Sequence, residues 1–187
     1  GYKPSDITDI VLTHLHLVHI GWASVDGKST FPNAKYHLPQ SEWDYWVAKP
    51  EGNNHSKAVL DITQAVMKPV APQLQAFSGE SETLFPGFKI RHAPGHTPGT
   101  VIVELDSGGR KALILGDTAH SAMSLQDKTW PGNFDLDEAQ TLAAKNALID
   151  EAVATHAQVS AAHISGMRFG QIVETKDRGL LFFFNEK

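Results

Sequence analysis

Histidines and an aspartate that follow short apolar runs are the residues of this sequence whose types and spacing suit chemistry. Four such stretches occur: His14-Leu15-His16-Leu17-Val18-His19, His96 between two Pro-Gly pairs, Gly116-Asp117-Thr118, and Ala161-Ala162-His163. A donor at a strand end is held by a rigid scaffold and faces a cleft, where a hydrolytic metal ion needs ligands and an open coordination position. The pattern therefore predicts a metal centre at the ends of several strands.

The available donors restrict the chemistry of that centre. The chain has ten histidines and no cysteine, so thiolate ligands and disulfide bonds are excluded. Imidazole and carboxylate suit zinc, manganese, cobalt and iron about equally. The residues alone leave the metal and the redox compartment open.

The elements that must position these donors are predicted from hydrophobic patterning. Compact apolar runs bounded by turn residues predict strands at 10–12, 31–38, 88–91, 100–105, 112–115 and 158–162, with a closing hairpin of 171–174 and 180–184. Helical spacing predicts helices at 39–46, 55–67 and 137–155, the last capped by Asp135 or Asp137. No repeat or linker is evident, so the prediction is one α/β domain over residues 1–187.

Composition narrows the class of partner. A chain of 187 residues with a net charge of −5 and no basic run lacks the electrostatic footprint for nucleic acid or an anionic membrane. The sequence has neither an apolar run long enough to cross a bilayer nor the features of a signal peptide at its start. We therefore expect a small-molecule substrate, no nucleic-acid partner and no membrane partner. A homodimer, and a cytoplasmic or periplasmic location in a bacterium, stay open.

Taken in order, the four stretches resemble the motifs of the metallo-β-lactamase superfamily. Thr13-His14-Leu15-His16-Leu17-Val18-His19-Ile20-Gly21 is similar to its His-x-His-x-Asp-His signature, and Pro94-Gly95-His96-Thr97-Pro98-Gly99, Leu115-Gly116-Asp117 and Ala162-His163 follow. Phe31-Pro32-Asn33-Ala34, Phe77-Ser78-Gly79 and Phe85-Pro86-Gly87 look like the branch of methyl parathion hydrolases and related lactonases or esterases. The resemblance implies an αββα sandwich, here lacking its N-terminal strands because the His-rich loop begins at residue 14.

The resemblance also implies a ligand set. It assigns His14, His16 and His96 to a first metal ion and His19 and His163 to a second, with Asp117 bridging the two. Val18 departs from the motif, because the family has an aspartate there that ligates the second ion. The expected cofactors are two divalent ions, zinc foremost, with the second site weak or empty. Water is then the nucleophile, and Asp117 and His163 are the catalytic side chains.

Other residues receive simpler interpretations. Five histidines match no ligand position and are expected to be ordinary core or surface residues: His37, His55, His92, His120 and His156. Of these, His120 is close enough in sequence to Asp117 to reach the mouth of the site, where Trp22 is the other expected substrate-pocket residue. Trp43 and Trp46 have helical spacing and favour a core role. Asp117 read alone is a common turn residue, and the acids at 135–138 suit a helix N-terminus.

The sequence thus predicts a metal-dependent hydrolase that acts on a small ester, lactone or phosphotriester through a metal-activated hydroxide. The alternative is a non-catalytic or inactivated metal-binding domain, which Val18 favours. A nucleic-acid-processing role is a third option that the acidic balance opposes.

Overall fold

The computed structural model describes residues 1–185, and the chain divides into two compact units, Gly1–Gly79 and Glu80–Lys187. Both units combine helices with sheets, which confirms the predicted α/β class. Among the described residues, no helix is both long and apolar enough to span a membrane.

The first unit is built on a small parallel sheet. Its elements in chain order are β1 (Asp9–Val11), α1 (Leu17–Ile20), β2 (Ser24–Val25), β3 (Lys28–Ser29), β4 (Lys35–Pro39), α2 (Gln40–Trp43), α3 (Lys57–Met67) and β5 (Leu74–Phe77). The sheet has the order β1-β4-β5, and both of its strand pairs are parallel. A π-helical segment, Asp44–Ala48, continues α2. Trp46 and Tyr36 are buried in the core of this unit with Leu38 and Met67.

The second unit is a seven-stranded sheet with one long helix. Its elements are β6 (Ser81–Phe85), β7 (Phe88–His92), β8 (Val101–Ser107), β9 (Arg110–Ile114), α4 (Glu138–Thr155), β10 (Gln158–Ser160), β11 (Gly170–Thr175) and β12 (Gly179–Phe184). The order is β12-β11-β10-β9-β8-β7-β6. All neighbours are antiparallel except β9 and β10, and a parallel pair needs a long crossover, which here includes α4. Leu148, Ile149 and Ala152 of α4 belong to the apolar core that the sheet also forms.

Several predicted boundaries need correction. The strand predicted from Phe31 begins only at Lys35, because a turn closed by the Ala34 N–H donating to the Phe31 carbonyl precedes it. The helix predicted from His55 begins at Lys57, where the Ser56 hydroxyl caps it by accepting from the Val59 N–H. The strand predicted to reach residue 162 ends at Ser160. The strand β5 was not predicted, since Leu74–Phe77 has no clear alternation.

Candidate metal centre

In the first unit, the His-rich loop runs from the end of β1 into α1. The Leu15 N–H donates to Glu42 Oε1 at 2.8 Å, and both residues are fully buried. Glu42 belongs to α2, which follows β4 directly, so the sheet fixes the position of this anchor. The contact holds the loop backbone at the residue between His14 and His16.

Three imidazole rings of that loop gather in the first unit. The ring centroid of His14 lies 4.7 Å from that of His16 and 4.2 Å from that of His19. Trp46 packs against His16 in a T-shaped arrangement, with ring centroids 5.3 Å apart, and His55 packs on the same tryptophan at 4.4 Å. His55, expected to be an ordinary residue, is therefore an aromatic neighbour of this cluster.

In the second unit, three imidazole nitrogens approach one carboxylate oxygen of the buried Asp117. The distances to Asp117 Oδ2 are 3.2 Å from His163 Nε2, 3.3 Å from His120 Nε2 and 3.5 Å from His96 Nε2. Asp117 follows β9 and His163 follows β10, and because these strands are parallel neighbours, both side chains lie at one edge of the sheet. The rings of His120 and His163 are stacked, with centroids 5.4 Å apart.

These spacings fit the donors around a divalent ion. Zinc bonds of about 2.0–2.2 Å in tetrahedral geometry place neighbouring ligand atoms roughly 3.3–3.6 Å apart. The distances from Asp117 Oδ2 to the Nε2 atoms of His96 and His163, 3.5 and 3.2 Å, agree with that spacing. A buried carboxylate also needs hydrogen bonds or positive charge nearby, and a metal ion would supply the charge. The second unit therefore has the donor chemistry of a metal site.

Asp135 contacts the far side of one of these rings. Its Oδ1 lies 2.8 Å from His96 Nδ1, and both side chains are almost completely buried. The sequence suggested Asp135 or Asp137 as the cap of α4; Asp137 is the cap, accepting from the Gln140 N–H at 2.9 Å. The contact between Asp135 and His96 joins residues 39 apart in sequence, and no local pattern predicts it.

The other residues that the sequence singled out differ in their exposure and contacts. Val18 and Trp22 are exposed, at 79% and 77%, and the pocket role of Trp22 stays a prediction. Trp43 and Trp46 are buried in the core of the first unit, as helical spacing favoured. His120, expected at the site mouth, lies against Asp117 itself.

The histidines outside both clusters have ordinary roles. His37 contacts Asp9 Oδ1 at 2.8 Å, and this hydrogen bond holds the pKa of Asp9 below its usual value. Burial lowers the pKa of His92 on β7. His156 ends α4 in the left-handed conformation.

Comparison with known proteins identifies a family. The sequence-family model of the metallo-beta-lactamase superfamily matches residues 1–163 of this chain. An N-acyl homoserine lactonase from Bacillus sp is 27% identical over 139 residues, which cover 72% of this chain and 48% of the relative. The N-acyl homoserine lactonase AttM from Rhizobium radiobacter is 27% identical over 140 residues, 71% of this chain and 49% of the relative. The chain thus spans about half the length of these curated relatives.

Solved structures agree with this match. AidC, a dizinc quorum-quenching lactonase solved in complex with a product, aligns over 100% of this chain and 67% of its own, with a TM-score of 0.85 and 26% identity. The hydrolase AbOPH of the beta lactamase superfamily aligns over the same shares with a TM-score of 0.88 and 21% identity, which supports the fold alone. Because the family model matches residues 1–163 of the 187 residues, the chain belongs to the metallo-beta-lactamase superfamily.

Proposed function

We propose that this chain carries the metal site of a hydrolase that opens the ester bond of a small lactone. The observation that carries the proposal is the approach of the His96 and His163 imidazole nitrogens, at 3.5 and 3.2 Å, to one oxygen of the buried Asp117. Membership of a superfamily whose matched relatives are N-acyl homoserine lactonases favours a lactone over the other substrates that the sequence suggested.

The proposed ligands form two sets that share Asp117. By the motif resemblance, His14, His16 and His96 would join Asp117 in the first set, and His19 and His163 would join it in the second. Two divalent ions are the proposed cofactors, with zinc as the first candidate because the neighbour AidC is a dizinc enzyme. Val18 leaves the second set one carboxylate short of the family motif. The uncompensated positive charge disfavours the second ion.

Bound divalent ions would supply water of lowered pKa and polarise the scissile carbonyl. The protein side chains position the reacting groups. Asp117 is buried and places one carboxylate oxygen 3.2 Å from His163 Nε2 and 3.5 Å from His96 Nε2. His163 is the most accessible of the three histidines at Asp117, with 43% of its side chain exposed, compared with 17% for His120 and 1% for His96. We assign His163 to contact the substrate and Trp22 to the substrate pocket.

Metal analysis and a lactonase assay test this function. We expect purified protein to contain zinc or another transition metal, and to release acid from an N-acyl homoserine lactone in a zinc-dependent way. The variant His163→Ala should lose most of that activity. The control His156→Asn replaces another histidine at the end of α4, where asparagine tolerates the left-handed backbone, and should retain activity. Protein without bound transition metal, in which added zinc or manganese restores no hydrolysis, overturns the proposal.

A non-catalytic metal-binding domain is the second candidate, and the valine at position 18 is the observation that favours it. Stoichiometric metal binding without hydrolysis of a lactone, an aryl ester or a phosphotriester would support it over the hydrolase. Hydrolysis of the phosphotriester but not the lactone would keep a hydrolase and change its substrate class.

A further inference from the structure

We propose that Asp135 is a positioning residue that fixes the His96 ring with its proton on Nδ1, leaving Nε2 as the metal-binding nitrogen. The inference rests on the proposed metal site and adds a residue to it. Asp135 lies outside every motif that pointed to the site and, in the structure, contacts the His96 ring on the side away from Asp117.

The geometry at His96 leaves one tautomer. A neutral imidazole has one donor and one acceptor nitrogen, whereas an ionised carboxylate only accepts. Asp135 Oδ1 lies 2.8 Å from Nδ1, and in a neutral ring this contact assigns the proton to Nδ1. The opposite nitrogen, Nε2, then has its lone pair directed towards the region of Asp117 Oδ2, 3.5 Å away. A carboxylate behind a metal-binding histidine fixes the tautomer and raises the basicity of the ligating nitrogen.

The backbone ties the two residues together as well. The Leu136 N–H donates to the His96 carbonyl at 3.3 Å, and the Asp137 N–H donates to the Gly95 carbonyl at 2.9 Å. The segment that leads into α4 therefore runs alongside the His96 loop. This arrangement holds the Asp135 side chain close to the ring in a defined orientation.

The Asp135 carboxylate occupies space that a side chain at position 132 would fill, and residue 132 is a glycine. A Cβ atom at Gly132 would lie 1.9 Å from Asp135 Oδ2 and 2.7 Å from its Cγ, far inside van der Waals contact. Any side chain at position 132 must therefore displace the carboxylate or the backbone. Gly132→Ala is thus a way to move Asp135 without removing a polar atom.

A buried cation orders the segment that precedes Gly132. Lys145 of α4 donates from Nζ to the carbonyls of Asp127 and Trp130, at 3.2 and 2.6 Å. Burial lowers the pKa of Lys145, and the carboxylates of Asp127 and Asp135 oppose that shift. These contacts of Lys145 Nζ fix the backbone on the N-terminal side of Gly132 and Asp135.

Nitrogen NMR of metal-free protein and a zinc titration test the proposal on the full chain. The histidine ring signals report which nitrogen carries the proton, and the His96 signal is assigned by its loss in His96→Gln. We expect the Nδ1–H form in the wild type and a shift towards the Nε2–H form in Asp135→Ala. Zinc affinity, measured by competition with a chelator, should fall by about 10- to 100-fold in that variant.

Three further variants distinguish a positioning role of Asp135 from a general loss of stability. Gly132→Ala should reproduce both effects, because it displaces the carboxylate. Asp135→Asn retains an acceptor oxygen, so the tautomer should persist while zinc affinity falls towards the lower end of that range. The control Asp137→Ala removes a carboxylate from the same segment and weakens the cap of α4, but it should leave the tautomer and zinc affinity unchanged.

The outcomes distinguish this inference from the proposed function. An unchanged tautomer and unchanged zinc affinity in Asp135→Ala overturn the positioning role. If that variant does not fold, unchanged zinc affinity in both Asp135→Asn and Gly132→Ala overturns it instead. Wild-type protein that binds no zinc overturns the metal site, whereas a wild type that binds zinc and variants that lose the Nδ1–H form support both.

Discussion

Two buried aspartates, Asp117 and Asp135, each face imidazole rings in the second unit. Burying a carboxylate is costly unless hydrogen bonds or opposite charge compensate for the lost hydration. Asp117 has three imidazole nitrogens near one oxygen, and Asp135 has His96 Nδ1. The two acids therefore contact opposite nitrogens of His96, which makes that ring the best-defined ligand candidate of the second unit.

At the residue scale, Val18 gives a direct test of the family motif. The variant Val18→Asp introduces the carboxylate that the motif contains, and the 79% exposure of Val18 means that no buried apolar contact is lost. We expect metal stoichiometry to rise from about one towards two, and lactone hydrolysis at limiting zinc to rise by about tenfold or more. Metal analysis and initial rates measure the two effects.

The control for this variant is Val25→Asp, which places the same charge at another exposed valine of the first unit. It should change neither stoichiometry nor rate. Equal gains in stoichiometry and rate in both variants would show that the added negative charge, and not metal ligation, causes the effect. No gain in Val18→Asp would favour the non-catalytic domain.

At the element scale, the close packing of the His96 loop on α4 depends on Gly95. This glycine has a φ of +134°, and a Cβ there would lie 2.3 Å from the Thr141 backbone nitrogen. The variant Gly95→Ala should therefore reduce the free energy of unfolding by at least about 2 kcal/mol, through backbone strain and overlap. Urea denaturation measures the loss.

Gly108→Ala is the matched control, because Gly108 also has a positive φ but has no atom within 4 Å of the added Cβ. Its cost should be limited to about 1 kcal/mol of backbone strain. A loss in Gly95→Ala no larger than in this control would contradict the tight approach of the loop to α4.

The packing of α4 on the sheet also includes an ionic network. Glu151 of α4 accepts from Arg91 at 2.7 Å and from Lys111 at 3.1 Å, and both cations also contact Glu104 of β8. Burial alone would raise the pKa of Glu151, but the hydrogen bonds from Arg91 and Lys111 outweigh it and lower the pKa. A lowered pKa in the folded state means that Glu151 stabilises the fold above its unfolded pKa and that the contribution is lost as the pH falls.

We therefore expect Glu151→Gln to reduce the free energy of unfolding by about 1 kcal/mol at pH 7. The difference from the wild type should shrink as the pH falls below the ordinary glutamate pKa of about 4.3. Denaturation curves from pH 7 to pH 3 measure it, with the exposed Glu174→Gln as the control that should show little difference at any pH. A difference for Glu151→Gln that stays constant with pH would contradict the ionic role.

At the scale of the whole molecule, metal binding should couple to folding. The proposed ligands lie between positions 14 and 163 of the sequence, and an unfolded chain does not hold them together. Zinc at about 100 times its dissociation constant should therefore stabilise the protein by about 2.7 kcal/mol. Thermal unfolding with zinc and with a chelator measures the shift.

Asp117→Asn should remove most of this stabilisation, whereas Asp106→Asn, near the end of β8, should not. If the wild type has the same unfolding temperature with zinc and with chelator, the result would contradict the proposed metal site.

The sequence by itself determined the α/β class and the family, because hydrophobic periodicity and four ordered motifs are local properties of the chain. It also placed most strands and the long helix, where compact apolar runs and a capping aspartate mark the boundaries. One error fell at a local turn, which delays the start of β4 to Lys35. Another fell at β5, where pairing with β4 forms a strand that has no clear pattern of its own.

Only the tertiary structure decided which side chains meet. The parallel pairing of β9 with β10 brings His163 to Asp117, and His120 joins them although sequence reasoning gave it a peripheral place. Asp135 reaches His96 across 39 residues, in space that Gly132 leaves. Motifs record which residues have the right chemistry, whereas the orientation of each ring depends on neighbours that are distant in sequence and fixed only by packing.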